Sequence, residues 1–344
     1  MEATIERNEH MNAYKDQQPL VEIKNVKKYF ELPLGLLRTI LRHEKEVVHA
    51  VDDVTLDIYK GETLGLVGES GSGKTTLLRC IARIYDPSTG SIFHEGKDIL
   101  KLSKKDLRSE RSKFQVVFQD PYSSLNPRMT VKQVLMEIIS VHNLRPEAER
   151  MDRVNELLSL VGLTSDALHR LPANFSGGQR QRIGIAKALA MEPRLLLADE
   201  PVSALDVSIQ AQVINLLLDL KNKLDLTMLF VTHDLRVVRH VSDRIAVMYL
   251  GKIFEVGPTK ELFNNPMHPY TRALLAAAPE LDPEDRTERP ALLGDPPSPI
   301  HIPPGCRFHP RCPLAIDSCK VDQPELMDVG HRHMAACPVV VNMR

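Results

Sequence analysis

The stretch GESGSGKTT, from Gly68 to Thr76, constrains this chain more than any other part of it. It fits the pattern G-x-x-x-x-G-K-[ST], with an apolar run before it and a leucine- and isoleucine-bearing helical run after it. Glycines let successive backbone N–H groups converge on a phosphate, and the N-terminus of the following helix adds roughly half a positive charge. The sequence therefore predicts a strand, a phosphate-binding loop and a helix, and with them a site for a nucleoside triphosphate.

The side chains of this loop predict what each position contacts. We expect Lys74 to reach the β- and γ-phosphates and the Thr75 hydroxyl to bind Mg²⁺. The predicted ATP-binding positions of the loop are Gly68, Glu69, Ser70, Gly71, Ser72, Gly73, Lys74, Thr75 and Thr76.

Length and composition are those of an ordinary soluble protein. The 344 residues are enough for one large domain or two ordinary ones, and 43% are hydrophobic and 26% charged. A net charge of −1 gives no indication of a nucleic-acid or membrane-lipid partner. We expect no membrane span, because no apolar run reaches about 18 residues, and no secretory signal, because the N-terminus is polar and carries acids. These features favour the cytosol, where thiols stay reduced.

Two β-like patterns precede the loop, VEIKNVKKYF and VDDVTLDIYKGE. The stretch between them, ELPLGLLRTILRHEKE from Glu31 to Glu46, is too short to span a bilayer. A surface insertion is favoured there over an amphipathic helix that touches a membrane. Tyr29 and Phe30 end the first strand, where either ring could stack on a purine or serve only as a strand-end aromatic.

Polar side chains follow two apolar strands farther along the chain. QVVF (Gln115–Phe118) is followed by Gln119, and LLLADE (Leu195–Glu200) ends in two acids. Because ligands bind beyond the carboxyl ends of strands in an open α/β sheet, we expect these side chains to face the nucleotide. Asp199 is predicted to hold Mg²⁺ through water and Glu200 to polarise an attacking water, with a pair of solvated turn acids as the alternative.

Two further polar positions are less specific by themselves. Ser176, followed by two glycines, stands where a helix begins, and an N-cap serine is the simpler interpretation of that pattern. Serine and glycine amides at a helix N-terminus can also form a second phosphate-binding surface. His233 follows the apolar strand TMLFV, and a histidine in that position is more often a helix cap than a catalytic group.

The rest of the pattern completes an α/β chain. Helical periodicity runs from Thr130 to about Leu171 and again after SALD (Ser203–Asp206), and a hairpin turning at Gly251 is predicted within Ile245–Gly257. Half of the 24 prolines lie after Ala278, which predicts a loop-rich C-terminal region without a large core of its own.

Taken in order, GESGSGKTT, Gln119, FSGGQ, LLLADEP, SALD and His233 resemble the nucleotide-binding domain of ATP-binding cassette (ABC) transporters, over roughly Leu20 to Gly257. VVFQDPYSSLNPRMTV, DEPVSALDVSIQAQVINLL and NNPMHPYTRALLAAAP are similar to the ATPase subunits of oligopeptide and dipeptide importers, a group that also contains nickel importers. Phe175 stands where leucine is commonest in the family signature, which is an apolar-for-apolar exchange.

The resemblance implies an α/β, P-loop NTPase fold of the ABC type. This fold has a mixed, mostly parallel sheet with helices on both faces, an antiparallel β subdomain and a helical subdomain at about 120–185. The predicted organisation is a flexible tail at 1–19, an ABC ATPase domain at 20–257, and a small C-terminal extension with metal-binding cysteines at 258–344.

The resemblance also implies roles for the matching residues. Phe30 is the expected adenine-stacking aromatic, with Tyr29 as the fallback. The expected catalytic residues are Glu200 as general base, His233 as γ-phosphate sensor, Gln119 and Lys74, and the Mg²⁺ ligands are Thr75, Gln119 and Asp199. Contacts in trans, to ATP bound by a partner ATPase, are expected from Ser176, Gly177, Gly178, Gln179 and Asp206.

The function that the resemblance implies is ATP hydrolysis that powers import of oligopeptides or dipeptides. The expected partners are a second, paralogous ATPase subunit, two transmembrane permease subunits and an extracytoplasmic substrate-binding protein, without nucleic acid. The chain would then sit at the cytoplasmic face of the cell membrane, and helical residues after Gln119 would grip the permeases.

The sequence leaves three alternatives to peptide import. Nickel or oligosaccharide is an alternative cargo. A soluble ABC ATPase of DNA repair or translation would have a coiled-coil insertion, tandem cassettes or a basic surface, which the sequence does not show. A metal-binding regulatory module that only senses nucleotide is disfavoured because Glu200 and His233 are intact.

Four cysteines cluster near the end of the chain, Cys306, Cys312, Cys319 and Cys337, with the spacing C-x5-C-x6-C-x17-C. In a reducing compartment such a set suggests a metal before a disulfide, yet the gaps are wider than those of most zinc sites. Cysteine-only ligation suits a 4Fe-4S cluster, and the resemblance implies one, because similar tails of peptide-importer ATPases carry it. Zinc, with His309, His331 or His333 as a further ligand, and unligated thiols are the alternatives. Cys80 is expected to be a small buried residue.

Overall fold

The computed structural model describes residues 18–32, 45–120, 122, 125–277 and 294–341. The predicted tail at 1–19 and the predicted insertion between the first two strands therefore lie mostly outside the described residues. The chain divides into two compact units, one within residues 1–59, 64–100 and 232–344 and the other within 60–63 and 101–231. No helix in the described ranges is both long enough and apolar enough to cross a membrane.

The elements alternate between strands and helices along most of the chain. The described strands are β1 (Val21–Glu31), β2 (Val47–Ile58), β3 (Thr63–Val67), β4 (Thr89–His94), β5 (Lys97–Asp98), β6 (Phe114–Val117), β7 (Leu195–Asp199), β8 (Thr227–Thr232), β9 (Arg244–Tyr249), β10 (Lys252–Pro258), β11 (Met327–Asp328) and β12 (Met334–Ala335). The described α-helices are α1 (Lys74–Ile81), α2 (Lys104–Glu110), α3 (Val131–Val141), α4 (Arg150–Leu160), α5 (Gly177–Leu189), α6 (Val207–Leu224), α7 (Leu235–Val241), α8 (Thr259–Asn264), α9 (Pro269–Ala277) and α10 (Pro338–Val341).

In the first unit, four strands form an antiparallel sheet in the order β2-β1-β4-β5. The alternating apolar residues of β2, which are Val51, Val54, Leu56 and Ile58, are all buried. One face of this strand therefore packs into the core, as the period-two pattern predicts. The sheet is the predicted antiparallel β subdomain.

The same unit contains the strand that leads into the phosphate loop. β3 pairs in parallel with β9, with Val67 opposite Val247. β9 and β10 form the predicted hairpin, and Gly251 occupies the turn at a φ of 83°, a conformation that favours glycine. β10 pairs antiparallel with β12, so residues from the end of the chain extend the sheet that carries the loop.

In the second unit, β6, β7 and β8 form a parallel sheet in that order. Every residue of β7 and β8 is buried, which explains their unbroken apolar sequences. β6 begins at Phe114, one residue earlier than predicted, because Phe114 pairs with Leu195 at the start of β7. Parallel pairing brings the carboxyl ends of these strands to one edge of the sheet.

The helical part of the second unit is built from α3, α4 and α5, which contact one another pairwise. α3 begins with a capping box, in which the Thr130 hydroxyl accepts from the Gln133 N–H and the Gln133 side chain accepts from the Thr130 N–H. Together with the sheets, these helices give the mixed α/β architecture that the sequence predicts.

Aromatic side chains from distant segments fill the core of the first unit. Tyr249, Phe254, Tyr270 and Phe308 are almost completely buried, and the rings of Tyr249 and Tyr270 lie 4.6 Å apart. Phe308 packs 5.3 Å from Tyr270. Because Tyr270 and Phe308 lie in the C-terminal extension, this segment is held against β9 and β10 by apolar burial.

Candidate functional site

The phosphate loop begins where the buried strand β3 ends. Helix α1 starts at Lys74, and its N-cap, Gly73, has a φ of 106°. Gly71 also has a positive φ, 78°, and lies exposed at the tip of the loop. A Cβ on Gly73 would lie 2.1 Å from the backbone oxygen of Ala50, so both conformation and space require glycine there.

Lys74 is positioned inside the loop that precedes it. Its side chain is buried, and Nζ donates to the carbonyl oxygens of Gly68 and Glu69, both at 2.8 Å, and to the Ser72 hydroxyl at 3.4 Å. These three acceptors are uncharged oxygens, and the ammonium carries a positive charge. This charge, the loop N–H groups and the N-terminus of α1 form a donor set that fits the phosphates of a nucleotide.

Gln119 and Glu200 come together in the second unit. Each follows the carboxyl end of a parallel strand, β6 and β7, and Gln119 Nε2 donates to Glu200 Oε2 at 3.2 Å. Asp199, the last residue of β7, is buried, whereas Glu200 is only partly covered. The carboxyl ends of the parallel strands β6 and β7 therefore place this acid and this amide together. That the two side chains face a nucleotide stays a prediction.

The backbone of Glu200 is held in an unusual conformation. Its φ is 45°, in the left-handed region that a residue with a side chain rarely adopts. Its N–H donates to the Val231 carbonyl at 3.0 Å, and its own carbonyl accepts from the Ser203 hydroxyl at 3.1 Å. Such strain costs on the order of 1–3 kcal/mol and marks a tight turn directly after β7. The role of Glu200 as general base stays a prediction.

Ser176 is the N-cap of α5 and forms a capping box with Gln179. The Gln179 N–H donates to the Ser176 hydroxyl at 3.3 Å, and the Ser176 N–H donates to Gln179 Oε1 at 3.0 Å. A Cβ on Gly178 would lie 2.3 Å from Ile209 in α6, so this glycine permits close helix packing. Within the chain the serine is thus a cap, and its side chain lies at an exposed helix N-terminus.

Asp206 and His233 stand at the starts of two other helices. Asp206 is the exposed N-cap of α6 and makes no side-chain capping bond. His233 precedes α7, but the cap of that helix is Asp234, whose carboxylate accepts from the Arg236 N–H at 2.9 Å. The alternative of His233 as a helix cap is therefore wrong, and its side chain is exposed.

The two aromatic candidates for adenine differ in their surroundings. The Tyr29 hydroxyl donates to Asp52 at 2.5 Å, and burial together with this carboxylate raises the pKa of Tyr29. Phe30 packs edge-on against Tyr85, with 5.4 Å between ring centres. Lys28 Nζ lies 5.0 Å from the centre of the Phe30 ring. That Phe30 stacks on adenine stays a prediction.

Oxygen ligands suited to Mg²⁺ are present in both units. Thr75 follows Lys74 in the first turn of α1, and Asp199 and Gln119 stand at strand ends of the second unit. Hydroxyl, carboxylate and amide oxygens are the hard ligands that Mg²⁺ takes beside nucleotide phosphates. The donor chemistry therefore fits the predicted ion.

Sequence reasoning missed the residues that hold the phosphate loop from the C-terminal side. Arg311 forms an ion pair with Glu69, and the Tyr270 hydroxyl accepts from the Glu69 N–H at 2.9 Å. Tyr270 lies in the HPYTRALL segment that carries the family resemblance, but its contact with the loop spans 201 residues of sequence. No local pattern marks either residue.

Comparison with known families gives two matches in this chain. The ABC transporter family matches residues 51–203, and the family described as oligopeptide/dipeptide transporter, C-terminal region, matches residues 254–319. A putative peptide import ATP-binding protein of Brucella ovis is 50% identical over 310 residues, covering 89% of this chain and 98% of the relative. The oligopeptide transport ATP-binding protein AppF of Bacillus subtilis is 50% identical over 325 residues, covering 94% and 98%.

Solved structures show the same fold. The ATP-binding cassette MJ0796, described as a dimer in a post-hydrolysis state bound to ADP and Pi, is 31% identical with a TM-score of 0.60, covering 70% of this chain and 98% of its own. CbiO1 of Clostridium perfringens, described as part of the ABC transporter complex cbiONQ, is 27% identical with a TM-score of 0.61, covering 72% and 92%. These likenesses confirm the predicted fold class.

The four C-terminal cysteines behave as apolar side chains. Cys306, Cys319 and Cys337 are buried, and Cys312 is partly buried against the same aromatic cluster as Cys306 and Cys319. Burial raises the pKa of Cys306 to about 11 and also raises the pKa values of Cys312 and Cys337. A thiol must lose its proton to bind a metal, and burial makes that loss harder for these three thiols.

The predicted 4Fe-4S cluster on Cys306, Cys312, Cys319 and Cys337 is wrong, and the zinc alternative is not supported either. Among the described residues, the one group of three or more potential ligands whose atoms lie within 4.8 Å of one another is His94, Glu95 and Glu110, and it contains no cysteine. The matched C-terminal family region ends at residue 319 and so omits Cys337. The spacing that suggested a metal instead reflects thiols packed in a core.

Proposed function

The chain belongs to the ABC transporter family of ATP-binding proteins, and we propose that it is the ATPase subunit that powers import of oligopeptides or dipeptides. The observation that carries this proposal is the pairing of the two matches, ABC transporter at 51–203 and oligopeptide/dipeptide transporter C-terminal region at 254–319. Half of the aligned residues are identical in peptide-import relatives covered over 98% of their length. Nickel and oligosaccharide import have no comparable support.

ATP is held by the phosphate loop of the first unit. The N–H groups of Gly68–Thr76 and the buried ammonium of Lys74 bind the phosphates, and Phe30 stacks on adenine. Thr75, Asp199 and Gln119 would hold Mg²⁺, which would neutralise charge on the phosphates. These roles use the donors at the start of α1 and the carboxylate at the end of β7.

Glu200 is the general base that takes a proton from the attacking water. The hydrogen bond from Gln119 Nε2 to Glu200 Oε2 holds the carboxylate at the carboxyl end of β7, where it would accept the proton of the water. The Ser203 hydroxyl and the Val231 carbonyl fix the backbone of Glu200 from the other side. His233, exposed beside the cap of α7, acts as the sensor of the γ-phosphate.

A second ATPase subunit completes each site. The oxygen of Ser176 accepts from Gln179, which leaves its O–H to donate to a phosphate outside the chain. Gly177 and Gly178 add N–H groups at the same helix N-terminus, and Gln179 orients the serine. Asp206 at the start of α6 faces the same partner, which is a paralogous chain.

This ATPase pair binds two permease subunits at the cytoplasmic face of the membrane. An extracytoplasmic binding protein delivers the peptide. ATP bound between two chains favours the closed pair, and hydrolysis removes the contacts that hold the pair closed. The nucleotide therefore switches the ATPase pair between an open and a closed state. Membrane association comes from the permeases.

The test is uptake by the complete importer, reconstituted in vesicles with ATP inside. We expect labelled di- and oligopeptides to accumulate in vesicles with the wild-type chain and not in matched vesicles with Glu200→Gln. Uptake of Ni²⁺ or of an oligosaccharide by the same vesicles, without peptide uptake, would overturn the proposed cargo. Assembly of both vesicle preparations is checked by the amount of this chain retained on the membrane.

A further inference from the structure

We propose that Arg311 and Tyr270 are positioning residues for ATP binding, which fix the phosphate loop by holding its Glu69 and neutralising that carboxylate. The inference rests on the proposed function, because it concerns the ATP site. It assigns the C-terminal extension a role at the phosphate loop.

Arg311 holds the side chain of Glu69. Its guanidinium donates to Glu69 Oε2 at 2.8 Å and to Oε1 at 3.1 Å, a bidentate pair with fixed geometry. The same guanidinium donates to the Tyr249 hydroxyl at 3.3 Å. The side chain of Arg311 is 5% exposed and that of Glu69 is 23% exposed, so the pair is largely shielded from solvent.

Tyr270 holds the backbone of the same residue. Its hydroxyl accepts from the Glu69 N–H at 2.9 Å, and the Glu69 carbonyl accepts from Lys74 Nζ at 2.8 Å. Glu69 is therefore fastened through its side chain, its N–H and its carbonyl. Because that carbonyl is one of the acceptors that orient the Lys74 ammonium, a shift of Glu69 is transmitted to the group that binds phosphate.

The segment that carries Tyr270 is held in place by hydrogen bonds of its own backbone. Tyr270 is completely buried, and its N–H donates to His268 Nδ1 at 3.0 Å. The N–H groups of Met267 and His268 donate to the carboxylate of Glu255 in β10 at 2.7 and 2.8 Å. His333 Nε2 contacts the same carboxylate at 2.6 Å, which ties the segment to the last part of the chain.

The charge on Glu69 gives this arrangement a consequence for ATP. A carboxylate in a loop that binds a triphosphate repels the ligand, and the repulsion is strong where water is partly excluded. Arg311 cancels that charge at hydrogen-bonding distance. Hydrogen bonding to Glu69 raises the pKa of Arg311, so the guanidinium is charged at neutral pH.

The experiment measures ATP affinity of the full-length chain by titration with a fluorescent ATP analogue. We expect Arg311→Met to weaken binding about tenfold, the effect of losing a charge-assisted hydrogen bond. Adding Glu69→Gln to that variant is expected to recover most of the loss, because the uncompensated carboxylate is removed. Arg311→Lys is expected to fall between wild type and Arg311→Met, since it keeps the charge without the fork.

Arg307→Met is the matched control. The side chain of Arg307 is 4% exposed, and its ion-pair partner is Asp52, which lies outside the loop. If Arg307→Met weakens ATP as much as Arg311→Met does, general loosening is the cause and the proposal is overturned. Unchanged affinity in folded Arg311→Met, or no recovery in the double variant, also overturns it.

Hydrogen exchange of the loop amides supplies a readout that bulk stability does not move. Faster exchange at 68–76 in Arg311→Met, with unchanged exchange in β7, is the expected pattern. If Arg311→Met does not fold, Arg311→Lys and Tyr270→Phe take its place in both measurements. Failure of the wild-type chain to bind ATP would contradict the proposed function, whereas normal wild-type binding with unchanged variants would contradict this inference alone.

Discussion

The phosphate loop and the C-terminal cysteine segment are both marked by spacing patterns in the sequence. They differ in whether the site needs only consecutive residues or residues from separate segments. The chemistry of the loop lies in consecutive backbone groups, from Gly68 to Lys74, and Gly73 has the conformation that the motif requires. The chemistry of a cluster on Cys306, Cys312, Cys319 and Cys337 depends on four sulfurs converging from separate turns. The structure instead packs Cys306, Cys312 and Cys319 against a core with aromatic rings and Cys337 among aliphatic side chains.

This difference shows when the spacing of residues in a sequence is enough to predict a binding site. The conformation of a motif of about ten consecutive residues is set mainly by those residues, so the rest of the fold has little influence on it. A set of ligands spread over more than thirty residues is determined by packing, which spacing does not contain. Substitutions in the loop are therefore expected to reduce ATP turnover, whereas substitutions of the thiols are expected to leave it nearly unchanged.

The largest expected effect is that of Lys74→Met. Removal of a preorganised positive group from a phosphoryl-transfer site lowers turnover by on the order of 10²–10³. The ammonium is held by the carbonyls of Gly68 and Glu69, and methionine cannot donate to them or supply the charge. Steady-state phosphate release is the measurement, and activity within a few-fold of wild type would show that the loop is not the ATP site.

Gly73→Ala tests the backbone of the loop. A left-handed φ costs a residue with a side chain about 1–2 kcal/mol, and the new Cβ would meet the Ala50 oxygen at 2.1 Å. We expect the free energy of unfolding to fall by more than it does in Gly330→Ala, where φ is 88° and nothing lies within 4 Å of the added carbon. Denaturant unfolding of both variants checks this, and equal losses would mean that the contact with Ala50 is not tight.

Much of the fold and of the site is predictable from local patterns. β3, the loop and α1 follow from GESGSGKTT, and Gln119 meets Glu200 because both follow apolar parallel strands. The ion pair between Arg311 and Glu69 is not predictable, since 242 residues separate the partners and nothing near Arg311 in sequence marks a phosphate site. The fate of the thiols is not predictable either, because cysteine is both a metal ligand and a common core residue.

Cysteine substitutions in the C-terminal segment are expected to leave ATP turnover nearly unchanged. Cys312→Ala removes a partly buried thiol, and Cys306→Ala removes a buried one, so the second should cost more stability. Phosphate release and thermal unfolding of the two variants give the comparison. Stoichiometric iron in the purified wild-type chain, lost together with stability in both variants, would contradict the account of these thiols as core residues.

The smallest effect is a pH dependence of stability. Burial raises the pKa of Cys306 from its ordinary 9.0 to about 11, so the folded thiol stays protonated while the unfolded thiol ionises. The contribution of this group is therefore fully present below about pH 9 and is lost as the pH rises toward about 11. Unfolding midpoints are measured across that pH range for the wild type and for Cys306→Ala. The difference between the two proteins gives the contribution of the Cys306 thiol, and a difference that does not change with pH would contradict the prediction.

The central claim is that this chain hydrolyses ATP with Glu200 as the base. The most direct test is single-turnover ATP hydrolysis by Glu200→Gln beside wild type, with ATP binding measured on the same samples. The account predicts that the variant binds ATP normally while phosphate release falls by on the order of 10²–10⁴, the contribution of a general base. Near-normal phosphate release by Glu200→Gln would contradict it.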